Sequence, residues 1–493
     1  MMRASQVGWL RACGLGAGAL TVLGVLSASS WSQTSPKGQA PAKGQAAKKE
    51  AKAAPKEEIA PDRTAAEVFR DPRNRPLMKN SFDALFRRET ATQKEADQMR
   101  AMAERGPANK AQVATFVKAQ VRELTDHANI EAMLDPEGKS ADFLKLEEAA
   151  TRLAVPLEAA NLRKNVAFRK AFVQEMLAPG VGDAVLKNHL YARLQFLIVL
   201  AGSGEPAALD TFAAVLADKE QPAILKLEAA RGITKVVSGG SKADTVDSST
   251  RIKVAKSLSD FLRNEPETVR PALDRALEAL GSLREDSFDP GRNDLEFLTT
   301  AAMYLAKADA VELRARAAWA VGMMRLNPAA RLNLPLLVAH SGQVAADQAE
   351  EILGDYLVSA EGQDVNAPVR YWVHRLVTEV GMGLKGDPDV SESGLLFAAN
   401  RAIKGDELRK ISDIEERVRA LCKTADGLAK AAGALRAQEK ANLVKDLGEL
   451  RAALNAKPAI ADPKLTPGGP ELPLRSAAAA EEPAAPAARP AAR

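Results

Sequence analysis

The stretch LRARAAWAVGMM, from Leu313 to Met324, decides the fold class of this chain. Its apolar residues recur at the spacing that places side chains on one face of an α-helix: Leu313, Ala317, Val321 and Met324. The small residue Ala320 lies on the same face, where it allows a neighbouring backbone to come close. The stretch therefore predicts a helix with one buried face.

The same frame occurs twice upstream, at intervals of 44 residues, and once downstream after an insertion of twelve residues. The copies are Leu225, Ala229, Ile233 and Val236 with small Gly232; Val269, Leu273, Leu277 and Leu280 with small Ala276; and Val369, Val373, Val377 and Val380. The second position of every copy is basic: Lys226, Arg270, Arg314 and Arg370. A fixed period of this length indicates stacked helical repeats.

An amphipathic helix and a short turn precede the copies, and Pro222 and Pro266 stand three residues before the first two. Proline is tolerated in the first turn of a helix, so both prolines are expected to mark helix starts. The pattern of helix, turn and P-x-x-[VL]-[RK] resembles a HEAT repeat from Glu205 to Leu384. The resemblance implies a right-handed α-solenoid of antiparallel helix pairs that serves as a binding surface or scaffold. It implies no particular ligand.

Composition agrees with an all-α protein. Aromatic residues make up only 4% of the 493 residues, and no run of alternating β-branched residues predicts a strand. The chain carries 68 basic and 64 acidic residues, a net charge of +4. This balance argues against a dedicated nucleic-acid binder, which would show a basic stripe or a larger surplus.

The sequence offers no catalytic, cofactor or metal motif. Of the two cysteines, Cys13 lies in a segment expected to be removed, which leaves Cys422 without a partner for a disulfide or a thiolate metal site. None of the four histidines pairs with another His or a Cys at ligand spacing. We therefore expect a protein that is not an enzyme and that uses no cofactor.

Residues 1–32 predict a secretory signal peptide. Arg3 and Arg11 form a positive start, an uncharged stretch follows, and Ala28 and Ser30 offer small residues for cleavage. The alternative is an uncleaved membrane anchor, because the uncharged run is about long enough to span a bilayer. Cleavage would place the mature chain in the periplasm or outside the cell, and it is the interpretation we favour.

The rest of the chain divides by composition. Residues 33–62 are expected to be a disordered linker, 63–204 a helical N-terminal region that is either a cap or degenerate repeats, and 205–404 the HEAT-like repeats. Residues 405–456 carry an apolar heptad seam, with Ile411, Ile414, Val418 and Leu421 at its start. That seam predicts a helical hairpin or, alternatively, a coiled coil with another chain. Residues 457–493 are expected to be a disordered Pro/Ala-rich tail.

Three classes of function follow from these features. The leading hypothesis is an exported, non-enzymatic binding or scaffold protein of a bacterial-type cell envelope. A second is a structural envelope protein that self-assembles through the helices of 406–455. A third is a hydrolase whose site combines carboxylates scattered in sequence. We expect protein partners and no nucleic acid, with membrane contact only through an uncleaved N-terminus and a homo-oligomer as one outcome of the C-terminal helices.

One row of residues is a candidate partner-binding surface. The seventh position of each copy points almost directly away from the apolar face, since each residue turns a helix by about 100°. These positions, with one neighbour, hold Arg231, Arg275, Trp319, Arg375 and Tyr371. In HEAT-like arrays the second helix of each pair lines the concave surface, so the resemblance implies one row suited to an extended acidic segment. The alternative is a solvated face in which the arginines pair with Glu228, Asp274 and Glu278, while Trp319 packs on a neighbouring repeat.

Overall fold

The computed structural model describes residues 92–133, 144–238, 246–288, 295–327, 330–358, 367–431, 434–455 and 462–475. All of them belong to the larger of two compact units, which begins at Pro76. The predictions of a signal peptide over 1–32 and of a linker over 33–62 lie outside the described residues. Within them no strand occurs, and the single β-bridge joins Lys464 and Glu471. The all-α prediction is confirmed.

The helices are numbered in chain order. The N-terminal ones are α1 (Gln93–Arg105), α2 (Lys110–Thr125), α3 (His127–Met133), α4 (Lys145–Arg163), α5 (Val166–Met176), α6 (Gly182–Leu186) and α7 (Leu190–Ser203). The central ones are a 3₁₀ turn (Pro206–Ala208), α8 (Leu209–Ala217), α9 (Ala223–Val237), α10 (Ser248–Asn264), α11 (Arg270–Leu283), α12 (Glu296–Lys307) and α13 (Val311–Met323). The C-terminal ones are α14 (Leu334–Val358), α15 (Ala367–Arg375), a π-helix (Leu376–Gly381), α16 (Met382–Lys385), α17 (Leu395–Ala402), α18 (Asp406–Lys430) and α19 (Ala434–Asn455).

The apolar frame of the repeat forms the core. All four of its positions are buried in α9 and at α13, as the 3.6-residue periodicity predicts. Two positions elsewhere were predicted wrongly. Val269 is the N-cap of α11 and is 53% exposed, and Val377 is half-buried in the π-helix.

Only one of the two prolines marks a helix start. Pro222 is the N-cap of α9, whereas Pro266 lies in the turn before α11. Pro271 takes the first-turn position of α11 instead, where a missing N–H costs nothing.

The helix contacts follow two rows. In one row α4 contacts α7, and contacts continue from α7 to α9, α11, α13 and then to the π-helix and α16. In the other, α8 contacts α10, α10 contacts α12, and α12 contacts α14. Each helix of the second row also contacts the helix that follows it in sequence, and we call these two helices a pair. The pairs are α8 with α9, α10 with α11 and α12 with α13. The first row thus runs from the predicted N-terminal region into the predicted repeats without a break.

Small residues set the closest approaches within the first row. A Cβ added to Gly281 of α11 would lie 2.6 Å from the Cα of Ala320 in α13. A Cβ added to Gly322 would meet the backbone of Gly383 in α16, with the Gly383 Cα 2.5 Å away. At this crossing the α13 and α16 backbones touch with no side chain between them, which only glycine permits.

The heptad seam folds back within the chain. Helices α18 and α19 pack side by side, and Arg417 Nη1 lies 3.2 Å from Glu449 Oε2 while Thr424 Oγ1 contacts Asp446, so the two helices run antiparallel. Both helices also pack on the long helix α14. The seam is buried by this arrangement, from Ile411 of α18 to Leu450 of α19. Leu435, which the heptad spacing from Ile411 also places on the seam, is an exception and is 66% exposed.

The expectation of disorder over 457–493 is wrong for residues 462–475. This segment, which we call the C-terminal strap, lies along α14 and buries Leu465 and Leu472 completely. Asn333 Nδ2 donates to the carbonyl oxygens of Asp462 and Lys464, at 2.8 and 3.1 Å. Two buried leucines and hydrogen bonds to the backbone therefore hold this segment in place, although the Pro/Ala-rich composition of the tail predicted disorder.

Candidate functional site

Three of the helices that carry the predicted partner-binding row belong to the first contact row, and the fourth, α15, leads into the π-helix of that row. Arg231 is on α9, Arg275 on α11, Trp319 on α13, and Tyr371 and Arg375 on α15. The Nη2 atom of Arg375 lies 2.7 Å from Asp274 Oδ1 and therefore links α15 directly to α11. The row is a set of neighbouring side chains that already interact with the helices beside them.

Each arginine of the row has a carboxylate partner within the chain. Arg231 Nη1 lies 3.5 Å from Glu228 Oε2, and Arg275 Nη1 donates to Glu278 at 2.5 Å. Arg375 pairs with Asp274, so the three partners are Glu228, Glu278 and Asp274. These are the acids that the alternative interpretation, a face with locally paired arginines, requires. The row consequently presents no unbalanced line of guanidinium groups.

Arg375 is the most deeply placed member of the row. Its side chain is only 8% exposed, and it donates to the Glu312 carbonyl oxygen at 2.7 Å and to Tyr371 Oη at 3.1 Å. Burial opposes its charge, but Glu379 and Asp274 outweigh burial and raise the pKa of Arg375 above its usual value. Arg375 is therefore a structural cation inside a hydrogen-bonded site.

The centre of that site is Glu379, a residue of the π-helix. Its oxygens lie 2.9 Å from Arg316 Nη2 and 3.0 Å from Arg375 Nη2, and its side chain is 4% exposed. Asp274 also contacts Arg316, at 3.4 Å. We refer to Asp274, Glu278, Arg316, Arg375 and Glu379 as the Glu379 cluster. Ion pairs at Glu379 and hydrogen bonds from Arg316 and Arg375 to Asp274 join α11, α13, α15 and the π-helix.

Burial dominates the titration of Glu379. It raises the pKa of this carboxyl to about 7, the two arginines oppose the shift, and repulsion from Asp274 and Glu278 adds to it. The native state then binds a proton more tightly than the unfolded chain does. The resulting stabilisation is fully present below the unfolded pKa near 4.5 and is lost as pH rises through about 7.

Sequence reasoning missed the two residues that hold the cluster together. Arg316 and Glu379 were not among the predicted residues, although Arg375 and Glu379 stand four positions apart, a spacing that brings side chains together on a helix. The contact between Arg375 and Asp274 spans 101 residues, and no local pattern indicates it.

The aromatic members of the row have different surroundings. Trp319 is half-buried, and its ring packs on α11 of the neighbouring helix pair. A Cβ added to Gly281 of α11 would lie 2.9 Å from the Cζ3 atom of this ring. The guanidinium carbon of Arg316 lies 5.8 Å from the ring centroid of Trp319. Tyr371 is 44% exposed and makes an edge contact with Trp372, with ring centroids 5.3 Å apart. Tyr371, Arg231 and Arg275 are thus the members of the row that meet solvent.

A second region of the same unit is open. A cleft of about 1190 Å³ lies where the α10–α11 turn faces the α12–α13 turn. Its apolar surface includes Leu262, Pro266, Met303, Tyr304, Leu313 and Pro470, and its charged rim holds Arg263, Glu267, Arg270, Glu296, Lys307 and Asp309. Tyr304 Oη donates to the Leu262 carbonyl oxygen at 2.8 Å, so the floor of the cleft is fixed across two helix pairs. We call this space the inter-pair cleft.

The C-terminal strap reaches the inter-pair cleft. Pro470 of the strap and Ala308 both line the cleft. Arg475 Nη2 donates to the carbonyl oxygen of Ala308 at 2.8 Å. Further along the strap, His340 Nε2 lies 3.0 Å from the Leu472 carbonyl oxygen. Burial lowers the pKa of His340 to about 4, which keeps the ring neutral at physiological pH. An extended, proline-containing stretch of the chain itself is therefore accommodated at one edge of the cleft.

The described residues contain no group of three or more His, Cys, Asp or Glu side chains placed to hold a metal ion. None of the helices among them is both long enough and apolar enough to cross a bilayer. Comparison of the chain with known proteins found no matching family model, no matching curated protein and no matching solved structure.

Proposed function

We propose that this protein is an exported, non-enzymatic scaffold of the cell envelope, built as a solenoid of HEAT-like helix pairs, which binds an extended partner segment in the inter-pair cleft. The cleft carries the proposal. It combines about 1190 Å³ of space with apolar surface and a rim of six charged side chains. Binding sites are typically concave and mostly apolar, with a few polar groups that fix orientation.

The contact rows support the solenoid. In a helical-repeat array each unit touches mainly its neighbours in sequence. Helices α7, α9, α11 and α13 touch in this order, as do α8, α10 and α12 in the other row. A first row that continues back to α4 favours degenerate repeats over a separate cap for the N-terminal region.

The rim of the cleft indicates the chemistry of the partner. Three of its charges are basic and three are acidic, so a strongly acidic or strongly basic segment gains no net attraction. Pro470 of the strap already lies against the apolar surface. We assign to the cleft an extended peptide that carries proline and charges of both signs, since a pre-extended proline segment loses little entropy on binding.

An acidic partner along the arginine row is less favourable than the sequence suggested. Arg231 and Arg275 are paired with Glu228 and Glu278, so an incoming carboxylate has to displace one that is already bound. The exposed parts of Arg231, Arg275 and Tyr371 remain a candidate secondary contact surface.

Self-assembly through the helices of 406–455 has less support. That hypothesis needs an exposed apolar seam, whereas Ile411, Leu421 and Leu450 are buried in the hairpin and against α14. The outcome to measure is sedimentation of the full chain over a range of concentrations. A concentration-dependent oligomer would favour self-assembly over the scaffold.

Two experiments test the proposal. The first is N-terminal sequencing of the exported protein, which should begin between residues 29 and 34. The second places a photo-cross-linking amino acid at Met303 in the cleft or at Lys253 on the exposed side of α10 as a control. Cross-linking from Met303 alone should identify one partner and, by mass spectrometry, the segment that occupies the cleft.

A synthetic peptide of that segment then measures affinity directly. Thr299→Trp fills the cleft and should weaken binding at least tenfold, while Lys253→Trp should leave it unchanged. Both variants should retain the melting temperature of the parent protein. Equal affinity of the two variants would remove the cleft as the binding site.

A further inference from the structure

A second, smaller cavity lies apart from the inter-pair cleft. It has a volume of about 220 Å³ and is enclosed by the end of α13, the start of α14, the loop before α17 and α17 itself. The cavity is several times smaller than the inter-pair cleft and suits a small organic molecule.

The cavity has an excess of positive charge. Arg325, Arg331 and Arg401 line it, and the carboxylate among its lining residues is that of Glu392. Arg401 Nη1 lies 3.6 Å from Glu392 Oε1, and both side chains are about half exposed, at 51 and 54%. An ion pair this long and this exposed contributes little, so Arg401 can turn to a bound anion at small cost.

Arg331 adds a further positive charge to the lining of the cavity. Within the part of the chain that the structure describes, no carboxylate lies at ion-pair distance from its guanidinium. Arg331 and Arg401 together exceed the single charge of Glu392, so these three side chains leave the cavity with an excess of one positive charge. Guanidinium groups recognise carboxylates through paired N–H···O bonds in a fixed planar geometry.

The remaining walls are apolar apart from Asn327. Phe397 is 38% exposed at the cavity, and Met324 and Leu332 are also among the lining residues. The Arg401 guanidinium carbon lies 5.6 Å from the Phe397 ring centroid. A fully hydrated inorganic ion makes no use of these surfaces, whereas an anion with an apolar body buries them.

Backbone hydrogen bonds hold the walls in position. Arg325 N donates to the Arg284 carbonyl oxygen at 3.1 Å, and Gly394 N donates to the Gly322 carbonyl oxygen at 2.6 Å. Asn327 N donates to Asp286 Oδ2 at 2.8 Å, and the Asp286 side chain is buried. The cavity is thus built on three chain segments that are tied together, and such preorganisation favours a specific site.

We propose that this cavity, the arginine pocket, binds a small carboxylate with a short apolar body. The carboxylate lies between Arg331 and Arg401, and the apolar body packs on Phe397. The pocket and the inter-pair cleft have no lining residue in common, so this site stands or falls independently of peptide binding.

The test uses the full chain and a defined probe. Fluorobenzoate, observed by ¹⁹F NMR line broadening and by calorimetry, should bind saturably at one site. Neutral fluorobenzyl alcohol should bind far more weakly, because it lacks the charge. Inorganic phosphate should compete poorly, because it has no apolar body.

Variants assign the binding to this pocket. The double variant Arg331→Gln/Arg401→Gln should weaken fluorobenzoate binding at least tenfold, and Phe397→Ala should weaken it severalfold. Arg409→Gln is the matched control, because Arg409 is 84% exposed on α18 and lies outside the pocket. Since the substituted arginines are exposed, circular dichroism and melting temperature should be unchanged.

Three results would overturn the proposal. The first is the absence of saturable binding by the parent protein. The second is equal binding by the double variant and the Arg409→Gln control. The third is phosphate binding as tight as that of fluorobenzoate with no effect of Phe397→Ala, which would identify a general anion site in place of a carboxylate pocket.

Discussion

Gly322→Ala tests the backbone contact between α13 and α16. The added Cβ would collide with the carbonyl oxygen of Gly383 and would lie 2.5 Å from its carbonyl carbon and Cα. These are backbone atoms of a packed helix, so no rotamer change relieves the collision. Overpacking costs about 1–3 kcal/mol, and we expect the upper end because the opposing atoms are backbone.

A gain in helix propensity partly offsets that cost. Replacing glycine by alanine inside a helix stabilises it by about 1 kcal/mol. We therefore expect Gly322→Ala to lower the free energy of unfolding by about 2 kcal/mol in total. The chain offers a matched control in Gly354 of α14, where an added Cβ would have no heavy atom within 4 Å. Gly354→Ala should stabilise the protein by about 0.4–1 kcal/mol.

The assay is urea unfolding followed by circular dichroism, with thermal melts as a second measurement. The two substitutions are chemically identical, so opposite signs isolate the packing contribution. If Gly322→Ala unfolds at the same or a higher urea concentration than the parent, then α13 and α16 do not touch through bare backbone.

Three further predictions follow from other parts of the structure. The parent should lose stability on the order of 1.4 kcal/mol per pH unit between about pH 4.5 and 7, in urea titrations at each pH, because the pKa of Glu379 is raised to about 7. Glu379→Gln should remove this loss, and the exposed control Glu416→Gln should keep it. Leu472→Ala should leave a buried cavity that costs about 2–5 kcal/mol and should make the strap sensitive to limited proteolysis. Leu474→Ala, at a half-buried position, should do neither. Equal protease resistance of the two variants would show that the strap is held without Leu472. Cys422 is half-buried, and desolvation raises the pKa of its thiol to about 12, so it should react slowly with thiol reagents in the native state. Rapid labelling before unfolding would contradict this.

The buried apolar faces of α9 and α13 were predictable because helical periodicity is a local property. Four apolar positions at helical spacing require a buried face wherever they occur, and Leu225 and Val321 are fully buried as expected. The buried face of α18 was predictable for the same reason, since the seam that begins at Ile411 is continuous in sequence, but the seam alone left open whether α18 pairs with α19 or with another chain. Where a helix boundary intervened, as at Val269, the apolar periodicity extended beyond the residues that are helical.

The parts that could not be predicted depend on contacts between distant residues. Composition indicated a disordered tail, but Leu472 finds a buried place on α14, a contact set by the fold and not by the residues around it. The inter-pair cleft and the arginine pocket are spaces between elements, and no sequence pattern marks a space. Arg331 and Arg401 line the same cavity although 70 positions separate them in the sequence.

The same distinction leads to the last prediction, which concerns the arginine row. From the sequence, Arg231, Arg275 and Arg375 were equivalent positions of three copies. In the structure they differ. Arg231 is 37% exposed and holds a 3.5 Å pair with Glu228, whereas Arg375 is 8% exposed and is bound to both Asp274 and Glu379.

Removing the charge of Arg375 leaves buried carboxylates without their partner, and breaking a buried pair in this way costs about 3–5 kcal/mol. Removing the charge of an exposed arginine costs about 0–1 kcal/mol. Arg375→Gln should therefore lower the melting temperature strongly, and Arg231→Gln should hardly change it. Because the Arg375→Gln variant leaves Glu379 with less opposing charge, the destabilisation should shrink below about pH 5, where a protonated Glu379 needs no counterion. The deciding measurement is made at about pH 7.5, where Glu379 is charged in the unfolded chain. If both variants then have equally small effects, the Glu379 cluster does not hold α11, α13 and α15 together. The arginine row would in that case again qualify as a surface open to a partner.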